Sequence, residues 1–300
     1  MFSLSTSWNA FRHKSGRDLI REIRALGFDT VELSFALPLN MVNDILDMRN
    51  SGEISVSSLH NMCPLPEEIE PDEASPDYYS LASTDDKERE LAVDAAKKTL
   101  LYAHRIGAGA VVLHAGRVQM KDRTRELASL VTDKEAFAVL KNEMITERRR
   151  LGGEYLNNVI KSLKQIVPYS LDMGVKIGLE TRYYYREIPQ IDEFGEIFSH
   201  FKENELFYWH DAGHAEVFSR LGFTRHEDFL KRYSSRLIGV HLHDIIGIMG
   251  DHNAPGTGTM DFSILKPYIK KDTIKVIEAH DPAPASAVKN SAAYLAGIIG

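Results

Sequence analysis

A single-domain (β/α)8 TIM barrel is the fold this sequence predicts. Short β-rich runs recur eight times, and most are followed by a helix-length segment with apolar residues three and four apart. Neither GxGxxG nor GxxxxGK[ST], the phosphate-binding turns that would favour an open sheet, occurs anywhere. A closed ring of parallel strands with an outer layer of helices accounts for that alternation.

The expected strands are 2–7 (FSLSTS), 29–34 (DTVELS), 54–60 (ISVSSLH), 109–114 (GAVVLH), 175–180 (VKIGLE), 206–211 (LFYWHD), 237–243 (LIGVHLH) and 274–278 (IKVIE). Helical spacing is read from Leu19, Ile23 and Leu26, from Met41, Ile45 and Met48, from Leu91, Ala95 and Leu101, and from Leu156, Ile160, Leu163 and Ile166. Gly27, Gly107 and Gly174 fall where helices should end. Two connections are long, 61–83 and 115–134, and both follow strands, which places them on the catalytic face of a barrel. No linker or low-complexity tract divides the chain, so 1–300 is read as one domain.

Composition narrows the chemistry. The lone Cys63 excludes an internal disulfide and a cysteine-based zinc cluster, so any metal must be held by nitrogen and oxygen, and a reducing cytoplasmic setting is expected. No run of eighteen apolar residues and no signal-peptide core occur, so no membrane association is expected. A net charge of -7 offers no general attraction to nucleic acid. The helix faces leave a homo-oligomer open.

Metal-capable side chains collect at the strand ends. The third strand ends in His60, the fourth in His114, the fifth in Glu180, the sixth in Asp211 with His214 just beyond, the seventh in His241 and His243, and the eighth in Glu278. A closed barrel would bring all of them around one mouth. Taken singly, His60 or His114 reads as a hydrogen-bonded structural residue, and Glu180 as the partner of Arg182. Together the positions read as one site. His241 and His243 are two apart, so both point the same way, and His241 is the one expected to bind a metal. His13, His104, His200, His210, His226 and His280 are read as structural.

The motifs SLHN (58–61), VLHAG (112–116), GLETR (178–182), HDAGHA (210–215), GVHLHD (239–244), DHNAPGTGTMDF (251–262) and VIEAHDP (276–282), in this order, resemble the xylose-isomerase-like TIM-barrel superfamily, over nearly the whole chain. That superfamily includes sugar isomerases and epimerases and the endonuclease IV type of AP endonuclease. The resemblance implies one divalent ion held by Glu180, Asp211, His241 and Glu278; an oxygen-rich donor set with one or two imidazoles suits Mn²⁺, and further histidines shift the expectation toward Zn²⁺. The endonuclease branch implies up to two more, using His60, His114, His214 and His252, although Gly250 stands where that branch has an aspartate and Asp251 is its neighbour. The PGTG turn and Asp261-Phe262 match a family pattern whose own chemistry is a tight turn and a helix start.

The expected function is a divalent-metal-dependent isomerase or epimerase of a sugar or sugar phosphate. Glu180 and Glu278 would move protons through a metal-stabilised enediolate, and His214, Arg182, Arg117 and His243 would bind substrate. The alternatives are a multi-zinc phosphodiesterase acting on abasic DNA, a keto-polyol dehydratase or lyase beginning with the same proton removal, and a non-enzymatic sugar- or metal-binding barrel.

Overall fold

The computed structural model describes residues 1–300. Eight parallel strands close into a ring: β1 (Ser3–Ser5), β2 (Thr30–Leu33), β3 (Ser55–His60), β4 (Ala110–Leu113), β5 (Lys176–Glu180), β6 (Phe207–Asp211), β7 (Leu237–Leu242) and, after a two-stranded hairpin β8 (Asp244–Ile246) and β9 (Gly250–Asn253), β10 (Ile274–Ile277). The order around the ring is β1-β10-β7-β6-β5-β4-β3-β2. Nine α-helices accompany the strands: α1 (Gly16–Ala25), α2 (Leu39–Asn50), α3 (Asp86–Ile106), α4 (Thr124–Ser129), α5 (Lys134–Met173), α6 (Ile191–Ser199), α7 (Ala212–Arg220), α8 (His226–Tyr233) and α9 (Ala285–Ile299). No helix is long and apolar enough to cross a membrane.

Alternation along each strand sorts the side chains into two environments. Leu4, Val31, Leu33, Leu59, Val111, Leu113, Ile177, Leu179, Val240, Leu242 and Ile277 belong to the large core between strands and helices. Their neighbours point into the ring, where Ala110, Val112, Trp209 and Val276 form a separate small apolar cluster. The Trp209 indole fills that interior because Gly178 and Gly239 flank it: a Cβ on Gly239 would lie 2.2 Å from the ring, and one on Gly178 2.9 Å. Above this floor the inward positions become Glu180, Asp211 and His241. Asp211 pairs with His241 in register across β6 and β7.

Two expectations need adjusting. Leu91 is exposed, and the buried stripe of α3 runs through Ala92, Val93, Ala96, Leu100 and Ala103. The positions 91, 95 and 101 fit no single 3.6-residue stripe. The connection 115–134 is also not all loop. It contains α4 and leads into the 40-residue α5, whose first half packs Leu140 and Met144 against Leu127, Tyr183, Val217 and Ile245 beside the mouth. Gly107 and Gly174 do end α3 and α5 in left-handed conformations, φ 74° and 66°.

Candidate metal centre

Period-2 geometry and helix capping together build the centre. Glu180 ends β5 and Asp211 ends β6, where Asp211 also caps α7 by accepting the His214 backbone N–H on Oδ1 at 2.7 Å. His241 comes from β7, and Glu278 directly follows β10. One ligand atom from each of these four residues lies within 4.8 Å of the others, and all four side chains are buried.

His241 is fixed from both sides. Its Nε2 lies 3.0 Å from Glu32 Oε1, and its Nδ1 lies 2.5 Å from Glu180 Oε1 and 3.0 Å from Glu278 Oε2. Burial would depress its pKa, but Glu278, Glu32 and Glu180 hold it well above the ordinary histidine value. Burial would likewise raise Glu180, yet the charges of His241 and His114 hold it well below the usual carboxylate range. Four carboxylates, Glu32, Glu180, Asp211 and Glu278, are thus buried around one imidazole. Buried like charges are costly unless a cation compensates them. The donor set therefore suits a divalent ion, with His241 offering Nδ1 because Glu32 occupies Nε2.

The remaining expected residues distribute around this centre. His114 Nε2 contacts Glu180 Oε2 at 2.5 Å and its Nδ1 contacts Asp77 Oδ2 at 3.0 Å, while His60 Nε2 lies 3.6 Å from Glu180 Oε2. His60, His114 and Glu180 form a second metal-capable set, and Asp211, His214, His243 and His252 a third. His214 donates from Nδ1 to the Thr181 carbonyl at 3.0 Å. His252 sits in the left-handed region, φ 53°, and contacts Asp251 Oδ2 through Nδ1 at 2.9 Å. Burial works against its charge, but Asp251 and Glu278 push its pKa up to about 10.

A cavity of about 240 Å³ opens over the centre, bounded by His60, His114, Glu180, Arg182, His214, His252 and Glu278 and by Phe35, Pro76, Tyr183 and Tyr184. Arg117 and His243 are not on its wall. Arg117 reaches the Asp77 carbonyl at 3.4 Å. His243 Nδ1 accepts the His252 backbone N–H at 2.9 Å, so its Nε2–H must donate to Asp211 Oδ1 at 3.0 Å. It braces Asp211 instead of facing the cavity. Arg182 is buried between Asp77 (2.5 Å) and Glu187 (2.9 Å), and its contact with Glu180 is longer, 3.7 Å.

Four residues at the site escaped the sequence reading. Glu32 and His280 carried a usable signal: Glu32 interrupts an apolar strand in the inward phase, and His280 shares the phase of Glu278. Asp77 and Glu187 carried none, because loops 61–83 and 181–190 set their positions. The PGTG turn is clasped by Asp244, whose carboxylate accepts from the backbone N–H groups of Gly256 and Met260 at 2.9 and 3.0 Å. The short helix Phe262–Leu265 follows, capped by Asp261.

Fold and site together define a (β/α)8 barrel with an acidic, histidine-rich centre at the C-terminal ends of its strands. The chain belongs to the xylose isomerase-like TIM barrel family, whose model matches residues 20–297. Its sequence is 23% identical over 180 residues to the uncharacterized protein y4fM of Sinorhizobium fredii, covering 60% of this chain and 49% of that protein. It is 25% identical over 200 residues to the uncharacterized protein MJ1614 of Methanocaldococcus jannaschii, covering 66% and 65%. The chain thus spans about half the length of the first relative and just under two thirds of the second. Among solved structures it is similar to a D-tagatose 3-epimerase-like protein (TM-score 0.70, 21% identity, 99% of this chain and 96% of that one). It is also similar to an L-ribulose 3-epimerase (0.69, 13%, 100% and 95%) and to the IolI protein with a bound zinc atom (0.67, 13%, 99% and 97%). At these identities the likeness is one of fold.

Proposed function

We propose that this protein is a divalent-metal-dependent isomerase or epimerase of a small, uncharged sugar. The observation that carries the reading is the convergence of Glu180 and Glu278 on one buried centre with Asp211 and His241. These four residues would hold the ion, which when bound would polarise a ketose carbonyl and its neighbouring hydroxyl and so lower the cost of the enediolate. Glu180 and Glu278 come from strands separated by β7 and β6, so they approach a substrate from different sides. One would take the α-proton and the other would return a proton to the opposite face or the adjacent carbon. His214, held by the Thr181 carbonyl, and Arg182, held by Asp77 and Glu187, would orient hydroxyl groups.

A neutral sugar is favoured over a sugar phosphate on charge grounds. The cavity wall carries Asp77, Glu180, Glu187, Asp251 and Glu278 against the Arg182 guanidinium, which already pairs with two of them, and the His252 imidazole, which already pairs with Asp251. The structural neighbours named as sugar epimerases agree with the reaction class. In deuterated water, protein loaded with Mn²⁺ or Zn²⁺ should introduce deuterium into a ketose such as D-tagatose or L-ribulose. Glu180→Gln and Glu278→Gln should abolish the exchange, and exchange retained in both variants would reject the assignment.

The second and third metal-capable sets favour one other reading, a multi-zinc phosphodiesterase. Nicking of abasic duplex DNA above background would reverse the ranking.

A further inference from the structure

His252, Glu278 and His280 each bring one ligand atom to within 4.8 Å of the others. His252 Nε2 lies 3.7 Å from Glu278 Oε2, and His280 Nε2 lies 3.9 Å from Glu278 Oε1. These spacings are too long for hydrogen bonds. They suit atoms that share a cation at about 2.1 Å from each, at an open angle.

The tautomers agree. The Asp251 contact keeps a proton on His252 Nδ1, so a cation arriving at Nε2 would displace only the other ring proton and meet an imidazole already oriented by a carboxylate. The His280 side chain is about a third exposed, yet its Nε2 is sealed from solvent with no hydrogen-bond partner. A buried, unpaired ring nitrogen is unfavourable and calls for an explanation. The two residues are also tied through the backbone, since the His280 N–H donates to the His252 carbonyl at 3.0 Å. This tie helps hold His252 in its left-handed conformation, which is strained for a non-glycine residue.

In the other histidine sets several ring nitrogens are engaged, although His60 Nδ1 is also buried without a partner. His114 spends both on carboxylates, and His243 spends one on Asp211 and one on a backbone N–H. One adjustment is needed at His280. Its ring stacks on that of His252 at 3.8 Å and 11° from parallel, so the in-plane lone pairs run side by side. For them to converge, the His280 ring must turn about its soft terminal torsion.

We infer that His252, Glu278 and His280 form a further divalent-cation site, with Glu278 bridging to the proposed Glu180 centre and Asp251 orienting His252. Two imidazoles among three protein ligands select Zn²⁺ over Mg²⁺ or Mn²⁺. Apart from the shared Glu278, the site stands on its own residues and goes beyond the isomerase reading.

The test is the number of zinc ions per chain, by elemental analysis of the full chain stripped with chelator, reloaded with Zn²⁺ and desalted, with calorimetry for the affinities. The wild type should hold two. His280→Ala and His280→Gln should each hold one with unchanged circular dichroism, and Asp251→Asn should weaken the lost ion's site about 10- to 100-fold. Asp211→Asn should lose the ion of the Glu180 centre and keep the other. Two ions retained in His280→Ala overturn the proposal. A single wild-type ion that disappears with Asp211→Asn also overturns it, while leaving the Glu180 centre standing. A single ion kept by Asp211→Asn and lost in both His280 variants supports the proposal and removes the Glu180 centre instead. No zinc retained by the wild type overturns both.

Discussion

Glu32 and His241 meet inside the barrel, Oε1 to Nε2 at 3.0 Å, with both side chains wholly buried and 209 residues apart in sequence. Ser58 donates to the other Glu32 oxygen at 2.7 Å and fixes the carboxylate in turn. The pair decides which face of the imidazole is offered to Glu180, Asp211 and Glu278. Glu32→Gln can still accept on one side-chain oxygen, so the fold should survive, but the ring loses its charged orienting partner. Metal affinity at the Glu180 centre should fall about 10- to 100-fold. A competitive chelator titration reads the change, and an unaltered affinity would remove Glu32 from this role.

A glycine supports the same centre indirectly. A Cβ at Gly213 would lie 2.0 Å from the His243 ring, which braces Asp211. Gly213→Ala should push the imidazole off Asp211, destabilise the protein by about 1–3 kcal/mol and weaken metal binding together with it. Gly153 is the control, because it lies within α5 with nothing within 4 Å of its added Cβ. Gly153→Ala should leave metal binding unchanged and stabilise by about 0.5–1 kcal/mol. Thermal melts and metal titrations of the two variants should diverge, and equal metal affinity in both would uncouple His243 from Asp211.

These two contacts mark how far the sequence could be read. The ring of strands and its inward ends were legible because β-rich runs alternate with amphipathic segments, and because period 2 carries Asp211 into the same interior as Trp209. His241 and Glu278 follow by the same rule. Arg117 was placed among the substrate-binding groups on residue type, and His243 on sharing the strand phase of His241. Their actual partners are a loop carbonyl and a carboxylate already inside the centre, and both depend on tertiary contacts that no local pattern encodes. Asp77 lies in the 61–83 loop yet touches both His114 and Arg182. Its neighbours in sequence are ordinary turn residues, so nothing marked it out.

Asp77 therefore provides a test of how a loop supports the mouth. Burial would raise its carboxyl pKa, but Arg182 and His114 hold it well below the usual range. Asp77→Asn keeps the shape and removes the charge, leaving Arg182 with Glu187 as its main partner. Losing one side of a buried ion pair costs about 3–5 kcal/mol when nothing else compensates, and Glu187 should hold the loss to about 1–3 kcal/mol. If Arg182 orients substrate, KM for the active ketose should rise more than kcat falls. A fall in kcat alone would show that Asp77 acts through His114 and Glu180.

A final prediction concerns pH, on the outer side of β6. Glu216 Oε2 lies 3.1 Å from His226 Nδ1, and its Oε1 accepts from Arg220 Nε at 2.8 Å. His226 Nε2 faces His210 Nε2 at 3.0 Å, and His210 Nδ1 meets the Tyr208 hydroxyl at 2.6 Å, so Glu216 anchors a buried chain behind the strand that carries Asp211. The hydrogen bond from His226 and that from Arg220 outweigh burial and bring the Glu216 pKa down to about 2. A carboxyl group whose folded pKa is depressed contributes stability that is fully present above its unfolded value, about 4.3. That contribution is lost as pH falls through the interval toward the folded value. Glu216→Gln should therefore be less stable than wild type by about 1–3 kcal/mol near neutral pH, since each pKa unit is worth about 1.4 kcal/mol and partial exposure trims the sum. The gap should close between about pH 4.3 and pH 2, because both proteins then carry a neutral side chain there. Urea denaturation along that series measures it, and a gap independent of pH would mean that Glu216 acts by packing and hydrogen bonding without its charge.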